Sequence, residues 1–268
     1  MAFKKPPWLG LVLCSTLLGA LLGLDDRYAP LAVREYRVKA DSPAMEKLFW
    51  DVFPSQHARY WPLFLSKARD AGAFLEKTRP VRVETRVTGF GSFVTEIRPL
   101  SLWVAVQWRG QLWYVSREGR MWNAAEEAAA PIPFSRPLWR VSAGFDNLEL
   151  EQNRSPPPKG VFPSVFPMES IEDFLRGLGG APWFEGVREV DLDRRAGSEL
   201  FKLRFVRGEQ EFVILIQKDK HEWRNLETAV GDILDSLYRE GVKRLLIDAT
   251  YEGKIVLREL SSAAGEGG

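Results

Sequence analysis

The sequence predicts an α+β protein with one transmembrane helix, a small domain with the element order β-α-α-β-β, and a larger mixed or antiparallel β domain with flanking helices. Three observations lead to this prediction. A long uncharged stretch follows the first five residues, the hydrophobic period changes from 3.6 to 2 near Val81, and strand-like segments then alternate with two further helical segments. With 45% hydrophobic and 27% charged residues, the chain has the composition of a folded protein.

The uncharged stretch runs from Pro6 to Leu24 and matches a bilayer in length. As a helix it would be about 28 Å long, against a hydrocarbon core of roughly 30 Å. Lys4 and Lys5 precede it, which favours a cytoplasmic N-terminus and an extracytoplasmic location for the rest of the chain. The predicted segments are a short cytoplasmic tail at 1–5, the transmembrane helix at 6–24 and a juxtamembrane linker at 25–32.

Two other interpretations of this stretch compete with an anchor. A cleaved signal peptide needs small residues three and one positions before the cut, and a cut after Ala20 has Leu18 at the first of these. A lipoprotein signal would use Cys14, the only cysteine, but Leu13 precedes it where a small residue is expected. An uncleaved anchor in the inner membrane is therefore the prediction.

The first folded domain, at residues 33–99, is predicted to begin with a strand and two helices. Val33–Val38 alternates weakly, as a strand does. Ser42-Pro43 indicates a helix start, because serine caps helices and proline is tolerated at the first helical position. A second helix is predicted from Pro62 to about Lys77. From Val81 the apolar residues alternate, and a glycine-rich turn then divides this segment into two strands.

The larger domain is predicted over residues 100–260, and residues 261–268 are predicted to be a disordered tail. Its helices are predicted at Met168–Leu178 and Trp223–Glu240, each followed by glycine. Residues 123–166 are poorly periodic and rich in proline, so an irregular segment is expected there. The predicted strands are Leu102–Trp108, Leu112–Val115, Val187–Leu192, Leu200–Val206, Glu211–Gln217, Arg244–Thr250 and Lys254–Leu260.

The chemistry of the side chains argues against nucleic-acid binding and catalysis. The net charge is +1, and no basic block with interleaved aromatic residues occurs. The two histidines, His57 and His221, have no histidine or cysteine at metal-ligand spacing. The sequence contains neither a phosphate-binding glycine loop nor the nucleophile motif G-x-S-x-G. We therefore predict no catalytic residue, no metal and no cofactor.

Three tryptophans invite a second interpretation. Trp103, Trp108 and Trp113 lie on adjoining predicted strands, where cross-strand aromatic residues usually build the core. The alternative is an exposed aromatic platform that binds carbohydrate. The core position is the prediction.

Three short motifs occur in an order that is known from one family. They are Val81-Arg-Val83 through Glu96-Ile-Arg-Pro99, then Gly110 to Val115-Ser-Arg-Glu-Gly119-Arg-Met-Trp122, and last Leu246-Ile-Asp248-Ala-Thr250-Tyr251. With the order of elements, they resemble the bacterial cell-division protein family FtsQ/DivIB, in which a POTRA (polypeptide-transport-associated) domain precedes a β domain. Thr250 stands where the family has arginine, and Ser116 stands where it has aspartate.

The resemblance implies a scaffold of the division machinery and not an enzyme. It implies a POTRA-like domain at residues 33–99, an inner-membrane location at the division septum, and binding of the bitopic coiled-coil proteins FtsB and FtsL. Septal peptidoglycan synthesis proteins are further candidate partners. By position, the resemblance implies binding through Tyr251, Lys254, Ile255, Val256, Leu257, Arg258 and Glu259.

The chemistry of the last strand agrees with this expectation. Lys254–Arg258 is strand-prone and follows a hairpin turn, so it is expected at a sheet edge with open main-chain groups, where a partner strand can add. The alternative is an edge whose charged residues prevent pairing. Two other functions stay open: a POTRA-bearing adaptor for protein export or assembly, and an anchored envelope enzyme.

Overall fold

The computed structural model describes residues 14–20, 32–53, 60–126, 137–142, 159–195 and 197–260. It is a mixed α/β protein with one large sheet, in which strand residues outnumber helical residues, 43% against 36%. The chain divides after Leu100 into two compact units. Each unit has its own hydrophobic core.

The structure corrects the prediction of a transmembrane helix. Among the described residues, no helix combines the length and the hydropathy needed to cross a bilayer. Of the predicted span, residues 14–20 are described, and they are helical. The other residues of the predicted span, 6–13 and 21–24, lie outside the described residues. The predicted fold class and the predicted single-pass inner-membrane location both depend on such a helix, and both are wrong on this finding.

The first unit packs two helices against a three-stranded sheet. Strand β3 lies in the middle, parallel to β1 and antiparallel to β2. Ser42 caps α1 as the sequence predicts, since its Oγ accepts a hydrogen bond from the backbone N–H of Met45 at 3.3 Å. The elements are β1 (Glu35–Ala40), α1 (Pro43–Val52), α2 (Trp61–Thr78), β2 (Val81–Gly89) and β3 (Ser92–Pro99).

A chain of hydroxyl groups crosses the sheet of this unit. The Tyr36 hydroxyl donates to Thr95 Oγ1 at 2.8 Å, and Thr95 Oγ1 shares a second hydrogen bond with Thr85 Oγ1 at 2.8 Å. Burial raises the pKa of Tyr36 to about 12, although the hydrogen bond to Thr95 opposes this effect. The neutral phenol is therefore the form that the fold stabilises.

The second unit is built on a ten-stranded sheet of order β13-β12-β11-β10-β9-β7-β4-β5-β6-β8. Its strands are β4 (Leu102–Trp108), β5 (Gln111–Ser116), β6 (Arg120–Asn123), β7 (Leu138–Val141), β8 (Phe162–Pro163), β9 (Val187–Arg195), β10 (Ser198–Arg207), β11 (Gln210–Gln217), β12 (Arg244–Tyr251) and β13 (Lys254–Arg258). Helices α3 (Met168–Leu178) and α4 (Trp223–Arg239) and the 3₁₀-helix Pro182–Gly186 pack on the same core as the sheet.

The two faces of this sheet differ in chemistry. We call the face that packs under the helices the helix face, and the opposite one the open face. On β11, Phe212, Ile214 and Ile216 alternate with less buried residues, so that one apolar row enters the core. Trp103, Trp108 and Trp113 are buried in the same core, which confirms their predicted position.

The segment predicted as irregular contains a central strand. Strand β7 lies between β4 and β9 and is parallel to both. Strands β11 and β12 also pair in parallel, so the sheet is mixed and interleaved with helices. The prediction missed β7 because four residues in a proline-rich context show too little alternation. Residues 127–136 and 143–158 of this segment lie outside the described residues.

Candidate protein-binding edge of the large sheet

Strand β13 forms one end of the ten-stranded sheet. It pairs with β12 in antiparallel orientation, and no described residue forms a strand on its other side. The register joins Leu246 to Arg258 and Ile247 to Leu257, with an irregularity between Asp248 and Tyr251. The outer main-chain groups of β13 therefore have no strand partner within the described part of the chain.

The predicted binding residues are divided between the two faces of the sheet. Ile255 and Leu257 lie on the helix face, where the cross-strand neighbour of Leu257 is the fully buried Ile247. Ile255 is half-buried against the core, whereas Leu257 is 46% exposed. Val256 is half-buried and lies on the open face with Lys254 and Arg258, which are exposed. The strand ends at Arg258, so Glu259 follows it as an exposed residue.

A buried carboxylate organises the hairpin that carries β13. Asp248 is only 5% exposed, and its Oδ1 accepts hydrogen bonds from the backbone N–H of Thr250 at 3.1 Å and from its hydroxyl at 2.6 Å. Its Oδ2 lies 3.3 Å from Nη2 of Arg258. A buried carboxylate is tolerated when it is hydrogen-bonded and paired in this way.

Two cationic side chains of the hairpin contact Tyr251. Arg258 Nη2 donates to the Tyr251 hydroxyl at 2.5 Å, and the Arg258 guanidinium carbon lies 5.7 Å from the Tyr251 ring centroid. The Lys254 ammonium lies 5.3 Å from the same centroid. Both distances suit a cation–π contact. Asp248 and Tyr251 together keep Arg258 over β12, on the open face.

A groove lies between helix α4 and the beginning of β13, with a volume of about 560 Å³. Its apolar lining residues are Leu226, Ala229, Ile233 and Ile255, and its polar ones include Lys220, Glu222, Asn225 and Lys254. His221 also lines it, and its Nε2 has no hydrogen-bond partner among the described residues.

A second polar cluster has the residue types of a serine–lysine site. Ser170 of α3 donates a hydrogen bond to Glu199 of β10, and Lys218 Nζ lies 3.3 Å from both Glu199 Oε2 and Asp173 Oδ2. Burial lowers the pKa of Lys218, but the hydrogen bonds and charges of Asp173 and Glu199 outweigh it and raise the pKa. These contacts connect α3 with β10 and with Lys218.

The described residues contain no group of three or more His, Cys, Asp or Glu side chains that could hold a metal ion. His57 lies outside the described residues. Sequence reasoning missed the role of Asp248, although it quoted this residue within a motif. A lone aspartate in an apolar strand was the available signal, since such a residue needs partners when it is buried.

Comparisons with protein-family models and with curated proteins found no match to this chain. The resemblance to FtsQ/DivIB therefore rests on the motifs and on the order of elements, and it stays a prediction.

Proposed function

We propose that this protein is a scaffold that binds another protein by accepting one of its strands at the β13 edge. The observation that carries the proposal is an exposed apolar side chain at an edge whose outer main-chain groups have no strand partner among the described residues. Leu257 is 46% exposed on the face that elsewhere forms the core. An added strand would bury this side chain and would pair with the main chain of β13.

The arrangement of charges supports binding over a protected edge. A protected edge typically carries a charged side chain that points inward, where a second strand would bury it. In β13 the inward positions carry Ile255 and Leu257, while Lys254 and Arg258 lie on the open face. A partner strand would thus place its side chains on the helix face beside apolar residues and would bury no charged residue of β13 there.

The apolar groove beside α4 adds to this support. Ile255 of β13 and Leu226 and Ile233 of the helix all line it. Residues that flank the partner strand would find there a preformed apolar surface of the kind that binding sites use.

The partner is proposed from the resemblance to FtsQ/DivIB. In that family the strand comes from an FtsB-like coiled-coil protein in complex with an FtsL-like one, and the role is assembly of the division machinery. The β13 edge supplies the physical means for such a contact, and no chemical reaction is involved.

The test compares two leucine-to-aspartate variants of the full chain. Leu257→Asp places a carboxylate where the partner strand would bury it, and we expect capture of an FtsB-like protein to fall by at least about tenfold. Leu63→Asp, on α2 and 60% exposed, is the matched control and should capture normally.

Thermal unfolding of both variants would show that the fold is retained, since both side chains are exposed. Undiminished capture by Leu257→Asp would contradict the proposed function. Equal loss in both variants would also contradict it, because the effect would then not belong to the β13 edge.

A further inference from the structure

Across strands β7, β9, β10 and β11, the open face of the large sheet carries charges whose sign alternates from strand to strand. Strands β7 and β10 contribute cations, and strands β9 and β11 contribute carboxylates. Because these residues share one face, each charge meets opposite charges on the neighbouring strands. This series of charges, which we call the charge ladder, contains in spatial order Arg140, then Glu189 and Asp191, then Lys202 and Arg204, then Glu211, and last Arg244 and Asp248, both on β12.

The central charges of this ladder have partners on both sides. Arg204 lies 2.6 Å from Glu211 on one side and 3.4 Å from Glu189 on the other. Glu211 in turn lies 3.6 Å from Arg244. The hydrogen bond to Glu211 is the main reason why the pKa of Arg204 is raised. In the interior of the sheet, Arg204 and Glu211 are therefore each paired with opposite charges on both neighbouring strands.

The charge ladder ends at β13 with the cations Lys254 and Arg258. Arg258 pairs with Asp248 of β12 on its inner side, and among the described residues it forms no ion pair with any other carboxylate. Lys254 contacts the Tyr251 ring and forms no ion pair with a described residue. Continuation of the ladder therefore requires negative charge on the next strand.

We infer that the strand added at β13 alternates acidic and apolar residues. This inference rests on the proposed function and specifies the partner's chemistry. The acidic side chains lie on the open face beside Lys254 and Arg258, and the apolar ones lie on the helix face beside Ile255 and Leu257. Side chains of an added strand alternate between the faces, so one strand satisfies both requirements.

The test uses two synthetic peptides of about ten residues, one alternating valine with glutamate and the other valine with lysine. Binding to the full chain is measured by fluorescence anisotropy of a labelled peptide. We expect the glutamate peptide to bind about tenfold more tightly, because opposite charges attract across neighbouring strands and like charges repel. This preference should decrease in 0.5 M salt, where charge interactions are screened over roughly 4 Å.

A charge-reversal variant assigns the preference to β13. Lys254→Glu should reduce the preference for the glutamate peptide to about threefold or less. Lys39→Glu makes the same change of net charge at an exposed position of β1 and should leave the preference unchanged. Lys254 is exposed and forms no ion pair with a described carboxylate, so the fold should tolerate its reversal.

The outcomes separate this inference from the proposed function. Equal binding of both peptides, or tighter binding of the lysine peptide, overturns the acidic partner and leaves strand addition standing. The absence of binding by either peptide below about 1 mM overturns strand addition itself. A preference that Lys39→Glu alters as much as Lys254→Glu overturns the assignment to β13.

Discussion

Gly177 occupies the last turn of α3, where the indole ring of Trp223 from α4 lies against the helix backbone. A Cβ atom at this position would lie 2.4 Å from Trp223 Cγ and 2.7 Å from Cδ2, far inside van der Waals contact. The ring is held by Phe174 and Phe201, whose centroids lie 5.8 Å and 6.2 Å from its own. Alanine at this position must therefore displace a packed ring.

Two effects of Gly177→Ala oppose each other. Replacing glycine by alanine in a helix stabilises it by at most about 1 kcal/mol, and by less in the last turn. Overpacking a core typically costs about 1 to 3 kcal/mol, and a rigid ring has few ways to yield. The net expectation is a loss of about 1 to 2 kcal/mol in the free energy of unfolding.

The assay is urea unfolding of the full chain, followed by tryptophan fluorescence. Gly231→Ala in α4 is the matched control, because its Cβ would lie 3.3 Å from the nearest atom, Trp183 Cδ1, and a shift of a few tenths of an ångström relieves the contact. We expect this control to stay within about 0.5 kcal/mol of the native chain, since a small packing cost offsets the gain in helix propensity.

A double-mutant cycle decides whether the ring is the cause. In a Trp223→Leu background, Gly177→Ala should be neutral or slightly stabilising, because the obstructing ring is gone. The reasoning is refuted if Gly177→Ala is as stable as the native chain, or if its cost persists without the indole.

Three further predictions concern the charged and hydroxyl groups. The pKa of Tyr36 is raised to about 12, above about 10 in the unfolded chain, so the neutral phenol stabilises the fold fully below pH 10 and this stabilisation is lost as the pH rises towards 12. In urea unfolding, the native chain should lose about 2 kcal/mol of stability over that pH interval, and Tyr36→Phe should not show this loss. Asp248→Asn should lower the free energy of unfolding by about 1 to 2 kcal/mol and speed the exchange of amide hydrogens in β13, because it removes the charge-assisted contact with Arg258. Unchanged exchange would contradict the role given to Asp248. Arg204→Gln should cost less than about 1 kcal/mol and nothing measurable in 1 M salt, because its side chain is 48% exposed; a larger, salt-independent loss would show that the ladder stabilises the fold itself.

Sequence reasoning succeeded where a signal lies within a few neighbouring residues. The serine–proline start of α1 and the bounds of α3 agree with the structure. Helix capping and hydrophobic period are local properties, and short segments display them completely. Parallel pairing was missed at β7 and at β11–β12, because parallel partners are joined by long connections that leave no local pattern.

The prediction of a transmembrane helix failed for a related reason. It used the length of an uncharged run, which is a property of composition and does not by itself establish a helix. Only residues 14–20 of the predicted span are described as helical, and no described helix meets the requirements of a bilayer.

For the candidate site, the sequence by itself determined a strand-prone segment at Lys254–Arg258 with alternating apolar and charged residues. The tertiary structure decided that this strand ends a sheet, that Asp248 and Tyr251 keep Arg258 over β12, and that a ladder of charges ends there. Such neighbours come from distant parts of the chain, as with Arg140 and Glu189, which are 49 residues apart. Alternation along a strand depends on backbone geometry alone, whereas the partners of each side chain depend on which strands the fold brings together.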